Sequence, residues 1–366
     1  MRAPETTHPT LARQERVRTL LEERKLQYLV VSNLTNVFYL TGFRGSAGVV
    51  LIGRDEGVLL VDPRYTLQAR EQAEGLEVRE ERGKLFRACG RWLARRRARE
   101  VGFDDWNLTY AAWRELGEAA GRRCRLRPCG GMIEEFRMVK DPTEIGLIRA
   151  AAQLTSRVFE DVRELIRPGA SEADLAAEID YRLRRQGAEG VAFETIVASG
   201  PRSAFPHARA SANLLKKNEF AIFDMGAIMG GYAADMTRTI YLGTPSRRAR
   251  RVYDAVLEAQ QQAMAAIKVG ERAERIDSVA RAVLARRGLD QYFRHSTGHG
   301  LGLDIHERPR LGRGEKQRLK AGCVLTVEPG VYLEGFGGVR IEDTVLVGAQ
   351  GAEVLTSASK QDWMIC

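Results

Sequence analysis

Four acidic residues in two apolar strand pairs are placed where they could hold a cation. Asp224 lies in FAIFDMG and Asp235 in GGYAADMTRTIYLG, while Glu328 lies in VLTVEPGVYL and Glu342 in GGVRIEDTVLV. In an antiparallel hairpin the numbers of opposed residues sum to a constant, so each pair can be tested against where its turn must fall. Asp224 and Asp235 are centred between Met229 and Gly230, inside IMGG, and Glu328 and Glu342 on Gly335, inside LEGFGG. Two directly opposed carboxylate pairs are therefore expected. Like charges opposite each other destabilise a sheet, so something cationic should sit between them. One such pair is more simply read as having one member in solvent; two pairs in two related hairpins favour metal.

Histidine usage points the same way. Of five histidines only His8 lies outside residues 207–306. His295, His299 and His306 fall in RHSTGHGLGLDIHE, where Gly298, Gly300 and Gly302 allow backbone to approach His299 closely. Four carboxylates and one imidazole make a hard, oxygen-rich donor set without sulfur, suited to two divalent ions roughly 3.5 Å apart. Mn(II) or Co(II) fits such a set better than a structural zinc, and Zn(II) is compatible with the ligand types.

The elements that must position these residues include an internal repeat. IRPGASEADLAAEIDYRLRRQG, from Ile166, aligns without gaps to IKVGERAERIDSVARAVLARRG, from Ile267, and each copy reads as a turn, an amphipathic helix and a closing Gly. A strand pair follows each copy. The second half of the chain thus reads as an α+β domain of two pseudo-symmetric helix-helix-hairpin halves, with a cleft between them. In RMVKDPTE, Pro142 can occupy the first turn of a long amphipathic helix through Ile145, Ile148, Ala152, Phe159, Val162 and Ile166. The boundary is set near residue 140, giving domains 1–139 and 140–366. Upstream, YLVVSN, NVFYLTGF, GVVLIG and GVLLVD read as short strand-like runs and 64–74 and 84–98 as helices, an α/β domain.

Composition bounds the class. At 366 residues, 44% apolar and 29% charged, the chain is an ordinary globular protein of about two domains. No apolar run approaches the roughly 18 residues of a membrane span, and MRAPETTHPT contains no apolar signal region, so a cytoplasmic protein away from membranes is expected. The five cysteines are scattered and read as reduced and structural. The net charge of +9 would suit a polyanion if focused, but glutamates interleave the arginines from Arg82 to Arg99, so a solvated helix face is expected and no nucleic-acid partner. Trp92, Trp106 and Trp113 are read as core.

The runs DMG…GGYAADMTRT, STGHGLGLDIHERP, TVEPGVY and GGVRIED resemble the creatinase/prolidase/methionine aminopeptidase superfamily of pita-bread metallopeptidases (M24), and NLTNVFYLTGFRGSAG…VDPRY resembles the amino-terminal domain of Xaa-Pro aminopeptidases and prolidases. The resemblance implies that Asp224, Asp235, His299, Glu328 and Glu342 bind a dinuclear centre, with Asp235 and Glu342 bridging. It implies that His207 in FPHA and His306 in DIHE line the substrate pocket, with His295 and Arg340 nearby, and that the amino-terminal domain narrows access and supports a homodimer. A metal-bridged hydroxide would attack the scissile carbonyl, His306 would help polarise it, and Glu328 would carry the proton to the leaving nitrogen. One departure is Asn218-Glu219, where family members often have Gly-Asp.

The activity expected first is an aminopeptidase acting on peptides with proline in second position. The nearest rival is an Xaa-Pro dipeptidase, whose substrate carboxylate needs a cationic clamp that Arg310 could supply. Methionine aminopeptidase leaves the upstream domain unexplained, creatinase-type chemistry needs no metal, and a non-catalytic binding module would have lost ligands.

Overall fold

The computed structural model describes residues 10–365; His8, Cys366 and nearly all of the amino-terminal segment read above lie outside the described residues. The chain forms two compact units, Met1–Phe136 and Arg137–Cys366.

The first unit is built on six strands: β1 (Tyr28–Val31), β2 (Val49–Gly53), β3 (Gly57–Val61), β4 (Glu77–Glu80), β5 (Glu100–Phe103) and β6 (Arg125–Pro128), ordered β4-β3-β2-β1-β5-β6. The pairs β1–β2 and β2–β3 are antiparallel and the remaining pairs parallel. Its helices are α1 (Thr10–Glu23), α2 (Leu34–Thr41), α3 (Thr66–Gln72), α4 (Leu85–Arg95), α5 (Tyr110–Ala120) and α6 (Met132–Arg137). Leu51, Val58 and Leu60 of the sheet pack with Ala88, Trp92 and Leu93 of α4 in one core, as continuous apolar strands covered by helices should.

Two expectations fail in this unit. NVFYLTGF is helix α2, not a strand. Its apolar residues run consecutively, without strand alternation, and the ends decide: the Asn33 side chain accepts from the backbone N–H of Thr35 and Asn36, and Gly42 closes the helix at φ 78°. Trp92 is core, but Trp106 and Trp113 are 57% and 38% exposed, because they flank and begin a helix whose buried positions are only Leu116 and Ala120. The arginines read as a solvated face do meet glutamates, with pairs Arg82–Glu80, Arg91–Glu81 and Arg96–Glu56.

The second unit opens with α7 (Pro142–Arg163), where Asp141 and Glu144 form a capping box around Pro142. The repeat is visible in detail. Helices α8 (Glu172–Arg185) and, after α9 (Arg247–Ala265), α10 (Ala273–Arg286) are each 14 residues long. Gly169 and Gly270 precede them at φ 90° and 86°, and their N–H groups donate to Leu215 O and Leu319 O at 2.9 and 2.8 Å. Leu175, Ile179 and Leu183 of the first copy and Ile276, Val283 and Leu284 of the second are buried in separate cores.

Strands follow in β7 (Gly190–Val191), β8 (Ile196–Ser199), β9 (Glu219–Met225), β10 (Ala227–Met229), β11 (Tyr232–Ala233) and β12 (Met236–Leu242), then β13 (Gly298–Gly300), β14 (Glu307–Leu311), β15 (Val324–Val327), β16 (Gly330–Leu333), β17 (Gly337–Arg340), β18 (Asp343–Gly348), β19 (Gly351–Val354) and β20 (Met364–Ile365). The first half's hairpin lies in the sheet β20-β12-β9-β8, and the second's in β14-β13-β15-β18-β19 with a β16-β17 extension. In the second hairpin Val327 opposes Asp343 and Gly330 opposes Arg340, the same sum on both sides of Glu328 and Glu342. Those two residues are therefore register opposites, as expected. The first hairpin differs from expectation: Asp224 opposes Thr237, not Asp235. Its two-residue turn is Gly230-Gly231, both at positive φ, one residue later than the expected centring requires.

Candidate metal centre

All ten residues singled out from the sequence line one cavity of about 560 Å³: His207, Asp224, Asp235, His295, His299, His306, Arg310, Glu328, Arg340 and Glu342. Asp224 is held by β9, Asp235 leads into β12, His299 is the centre of β13, Glu328 follows β15, Arg340 ends β17 and Glu342 precedes β18. Two of the three glycines around His299 are needed for packing against backbone. A Cβ on Gly298 would stand 2.0 Å from Thr326 O, and one on Gly300 2.2 Å from Arg308 O.

His299 defines the electrostatic problem. Its Nδ1 lies 3.0 Å from Gly300 O, and a carbonyl only accepts, so Nδ1 carries the hydrogen and Nε2 presents a lone pair. That lone pair faces Glu328 Oε1 at 3.4 Å and Asp235 Oδ2 at 3.8 Å. Burial depresses the imidazole's proton affinity further, so protonation does not relieve the contact. Donor atoms of Asp235, His299 and Glu342 lie within 4.8 Å of one another.

The carboxylates are similarly short of positive charge. Burial, and then Glu342, Asp224 and Glu328, push the Asp235 carboxyl well above its usual range. Burial, followed by Glu328 and Asp224, does the same to Glu342. Burial also raises Glu328. Asp224 Oδ1 and Glu342 Oε1 are buried without a hydrogen-bond partner among the described residues, and such atoms are rare unless a group outside the chain satisfies them. Hard oxygens, one oriented imidazole nitrogen and unsatisfied acceptors fit divalent cations.

The remaining oxygens are fixed from behind. Arg340, 4% exposed, donates from Nη2 to Asp224 Oδ2 at 2.6 Å, from Nη1 to Tyr332 Oη at 2.9 Å and from Nε to Thr237 Oγ1 at 3.0 Å. Thr237 Oγ1 in turn donates to Glu342 Oε2 at 2.6 Å. Thr326 Oγ1 lies 3.2 Å from Glu328 Oε1 and accepts from His299 N–H at 3.0 Å. Sequence reasoning missed the supporting roles of Thr237, Thr326 and Tyr332; the correct register of the first hairpin would have identified Thr237.

The histidines divide into two kinds. His295 has both nitrogens engaged, Nδ1 with Ser296 O at 2.8 Å and Nε2 with Tyr332 Oη at 2.9 Å. His207 and His306 make no hydrogen bond through their rings among the described residues, and His306 stacks edge-on against His299 with centroids 4.3 Å apart. Burial and the neighbouring His299 lower the His306 pKa, which keeps it neutral near pH 7. Arg310 is in β14, directly across from His299, and forms no ion pair among the described residues.

Comparison with known proteins matches residues 146–349 to metallopeptidase family M24 and 13–139 to the creatinase/prolidase N-terminal domain. The chain belongs to metallopeptidase family M24. A Pyrococcus furiosus relative named Xaa-Pro dipeptidase is 34% identical over 95% of this chain and 99% of its own length. The solved structure of an Xaa-Pro dipeptidase from Bacillus anthracis is similar with a TM-score of 0.94 and 36% identity, covering 97% of this chain and 100% of that one. An X-Pro aminopeptidase structure from Thermotoga maritima has a TM-score of 0.89 and 35% identity over 96% and 99%. These similarities extend the M24 assignment over both units, and the family is one of divalent-metal enzymes acting on peptides. Among the described residues, no helix is long and apolar enough to cross a membrane.

Proposed function

We propose that this M24 enzyme hydrolyses the Xaa-Pro bond of dipeptides, with Asp224, Asp235, His299, Glu328 and Glu342 holding two divalent ions, Mn(II) best suited to the donors. The observation that carries the dipeptidase reading is Arg310, a cavity-lining cation across the strand from His299 and without a carboxylate partner among the described residues. A dipeptide brings a terminal carboxylate close to the scissile bond, and an unpaired guanidinium suits it. The dipeptidase relatives support the same order, which places dipeptides ahead of the longer peptides first expected. Aminopeptidase action is the second reading, favoured by the Thermotoga likeness.

The bound ions would supply an activated water and a polarised carbonyl. The chain's residues do the rest. His207 and His306 offer ring N–H groups to the carbonyl oxygen as negative charge develops there. Glu328 takes the water's proton and passes it to the proline nitrogen, which is a poor leaving group until protonated. Arg340 and Thr237 keep Asp224 and Glu342 oriented. A cytoplasmic homodimer belongs to the same proposal, supported by the family resemblance.

The test is hydrolysis of an Xaa-Pro dipeptide beside an Xaa-Pro-Xaa tripeptide by metal-stripped protein with and without Mn(II). Metal-dependent cleavage of the dipeptide with little of the tripeptide is expected. Preference for the tripeptide would reverse the two readings, and cleavage of neither by metal-loaded protein would refute the proline specificity. His207→Ala or His306→Ala should lower turnover by about two to three orders of magnitude; near-wild-type turnover at full metal occupancy would remove that residue from the mechanism.

A further inference from the structure

Glu172 is a buried carboxylate that none of the chemistry above uses. It is the first residue of α8 and is 0% exposed. Its Oε1 accepts from Ser199 N at 2.8 Å, Ser199 Oγ at 3.0 Å and Asn213 Nδ2 at 2.9 Å. Its Oε2 accepts from Ser211 Oγ at 2.7 Å and Arg202 Nε at 3.0 Å. Ser199 ends β8, whereas Ser211 and Asn213 lie beyond His207, so one carboxylate gathers both ends of the loop that carries this histidine. The α8 backbone joins in: Glu172 N–H donates to Asn213 O and Ala173 N–H to Ser211 O. Arg202 then spans the loop, its Nη2 donating to Arg209 O at 2.6 Å, two residues past His207.

We propose that Glu172 is a positioning residue for catalysis: by closing the base of the 199–213 loop, with Arg202 as its arm, it sets where the His207 ring stands over the bound peptide. The proposal rests on the reading that His207 meets substrate. The His207 ring has no hydrogen bond of its own to the protein among the described residues, so its placement is inherited from the loop backbone. Farther along the loop, Pro206 O accepts from Arg340 Nη1 at 3.0 Å, leaving Glu172 to fix the base. Five donors, one of them cationic, outweigh the effect of burial and hold the carboxyl below its ordinary pKa, so the anchor stays charged through the neutral range.

The second half repeats the device. On α10, Asp277 Oδ1 accepts from Thr297 N at 3.1 Å and Thr297 Oγ1 at 2.9 Å, and Oδ2 accepts from Arg281 Nε at 2.7 Å. Arg281 Nη2 donates to His295 O at 2.6 Å. In both halves a buried carboxylate on the repeat helix uses an arginine to hold the main chain at or beside a cavity histidine. The clasp thus recurs on the corresponding helix of the pseudo-symmetric fold, although the two carboxylates do not occupy aligned positions.

A double-mutant cycle in the full-length, Mn(II)-loaded protein tests this. Glu172→Gln, His207→Ala and the double variant are compared with wild type for kcat and KM on an Xaa-Pro dipeptide and for bound metal. A displaced histidine costs on the order of 10- to 100-fold in kcat, so Glu172→Gln should fall in that range at unchanged metal content. In the His207→Ala background the same change should cost less than about twofold, because there is no ring left to misplace. An equal factor in both backgrounds, or wild-type kcat for Glu172→Gln, would overturn the proposal. If His207→Ala alone retains wild-type kcat, it is the reading of His207 that fails. Should Glu172→Gln fail to fold, Arg202→Met leaves the other four bonds to Glu172 intact and should show a smaller loss of kcat with the same dependence on His207; no loss would overturn the proposal.

Discussion

The two hairpins supply the same kind of donor by different geometry. In the second, Glu328 and Glu342 are opposed across the ladder, at the breaks that separate β15 from β16 and β17 from β18. In the first, Asp224 stands inside β9 opposite Thr237, and the same register puts Asp235 opposite Gly226. Gly226 is needed there, since a Cβ would lie 2.0 Å from Ala234 O. The offset has a consequence: Thr237, which faces Asp224, reaches into the other half and donates to Glu342. A carboxylate in that position would have repelled Glu342. The first hairpin therefore braces Glu342 of the second hairpin as well as its own strands.

Removing a proposed metal ligand should have the largest effect. Glu342→Ala takes away a carboxylate that both hairpins contact, and dipeptide hydrolysis is expected to fall to background with reduced bound metal, measured together on the same sample. Activity retained at full metal content would mean that Glu342 is not a ligand. The next effect tests the asymmetry: Thr237→Val should cost about 10- to 100-fold in metal affinity or turnover, as loss of a ligand-orienting hydrogen bond does. Thr326→Val should cost less, because Thr326 supports Glu328 and the His299 backbone without crossing between the halves. Equal losses for the two variants would contradict the difference drawn between the hairpins.

The halves also differ in how they hold their histidine segments. Glu172 meets mostly neutral donors, whereas Glu307, beside His306, is paired with buried Arg137 and with Lys140 Nζ at 2.9 Å. Burial alone would raise the Glu307 carboxyl, but Lys140 and Arg137 reverse this and bring it down from 4.5 to about 2. A depressed folded-state pKa stabilises above the unfolded value and is lost as pH falls through the folded one, here from about pH 5 to about pH 2. The shift corresponds to about 3 kcal/mol. Glu307→Gln should lose on the order of that amount at pH 7 and have a flatter stability profile between pH 5 and 2, as measured by denaturant unfolding. An unchanged acid profile would mean that the pair contributes nothing. The smallest effect concerns the turn: Gly231→Ala, at φ 83°, should cost about 1 kcal/mol and leave metal binding intact.

How far the sequence could be read follows from the same residues. The repeat was legible because Gly169 and Gly270 are turns at positive φ and the apolar positions behind them face a core. The second hairpin's register was legible because its loop is centred on Gly335. The first hairpin's register lies one turn position away from the centring of its two aspartates: a two-residue hairpin turn with both residues at φ > 0 favours Gly-Gly, and a turn at Gly230-Gly231 gives the observed register. Helix α2 resembles a strand in composition because VFYL carries strand-forming residues, while the Asn33 cap and the Gly42 stop define it as a helix. The contacts of Arg340 and Thr237 with the opposing carboxylates join residues far apart in sequence, and no periodicity encodes such a contact. The exposure of Trp106 and Trp113 has no signature in residue type.

Whether the two hairpins together hold a pair of divalent ions, as proposed, is decided by titrating chelator-stripped protein with Mn(II) and measuring bound metal per chain alongside Xaa-Pro dipeptide hydrolysis. Two ions per chain are expected, with hydrolysis following occupancy and both lost in a variant carrying Asp235→Asn and Glu342→Gln. Full hydrolysis by stripped protein, or metal binding unchanged in that variant, would contradict the account.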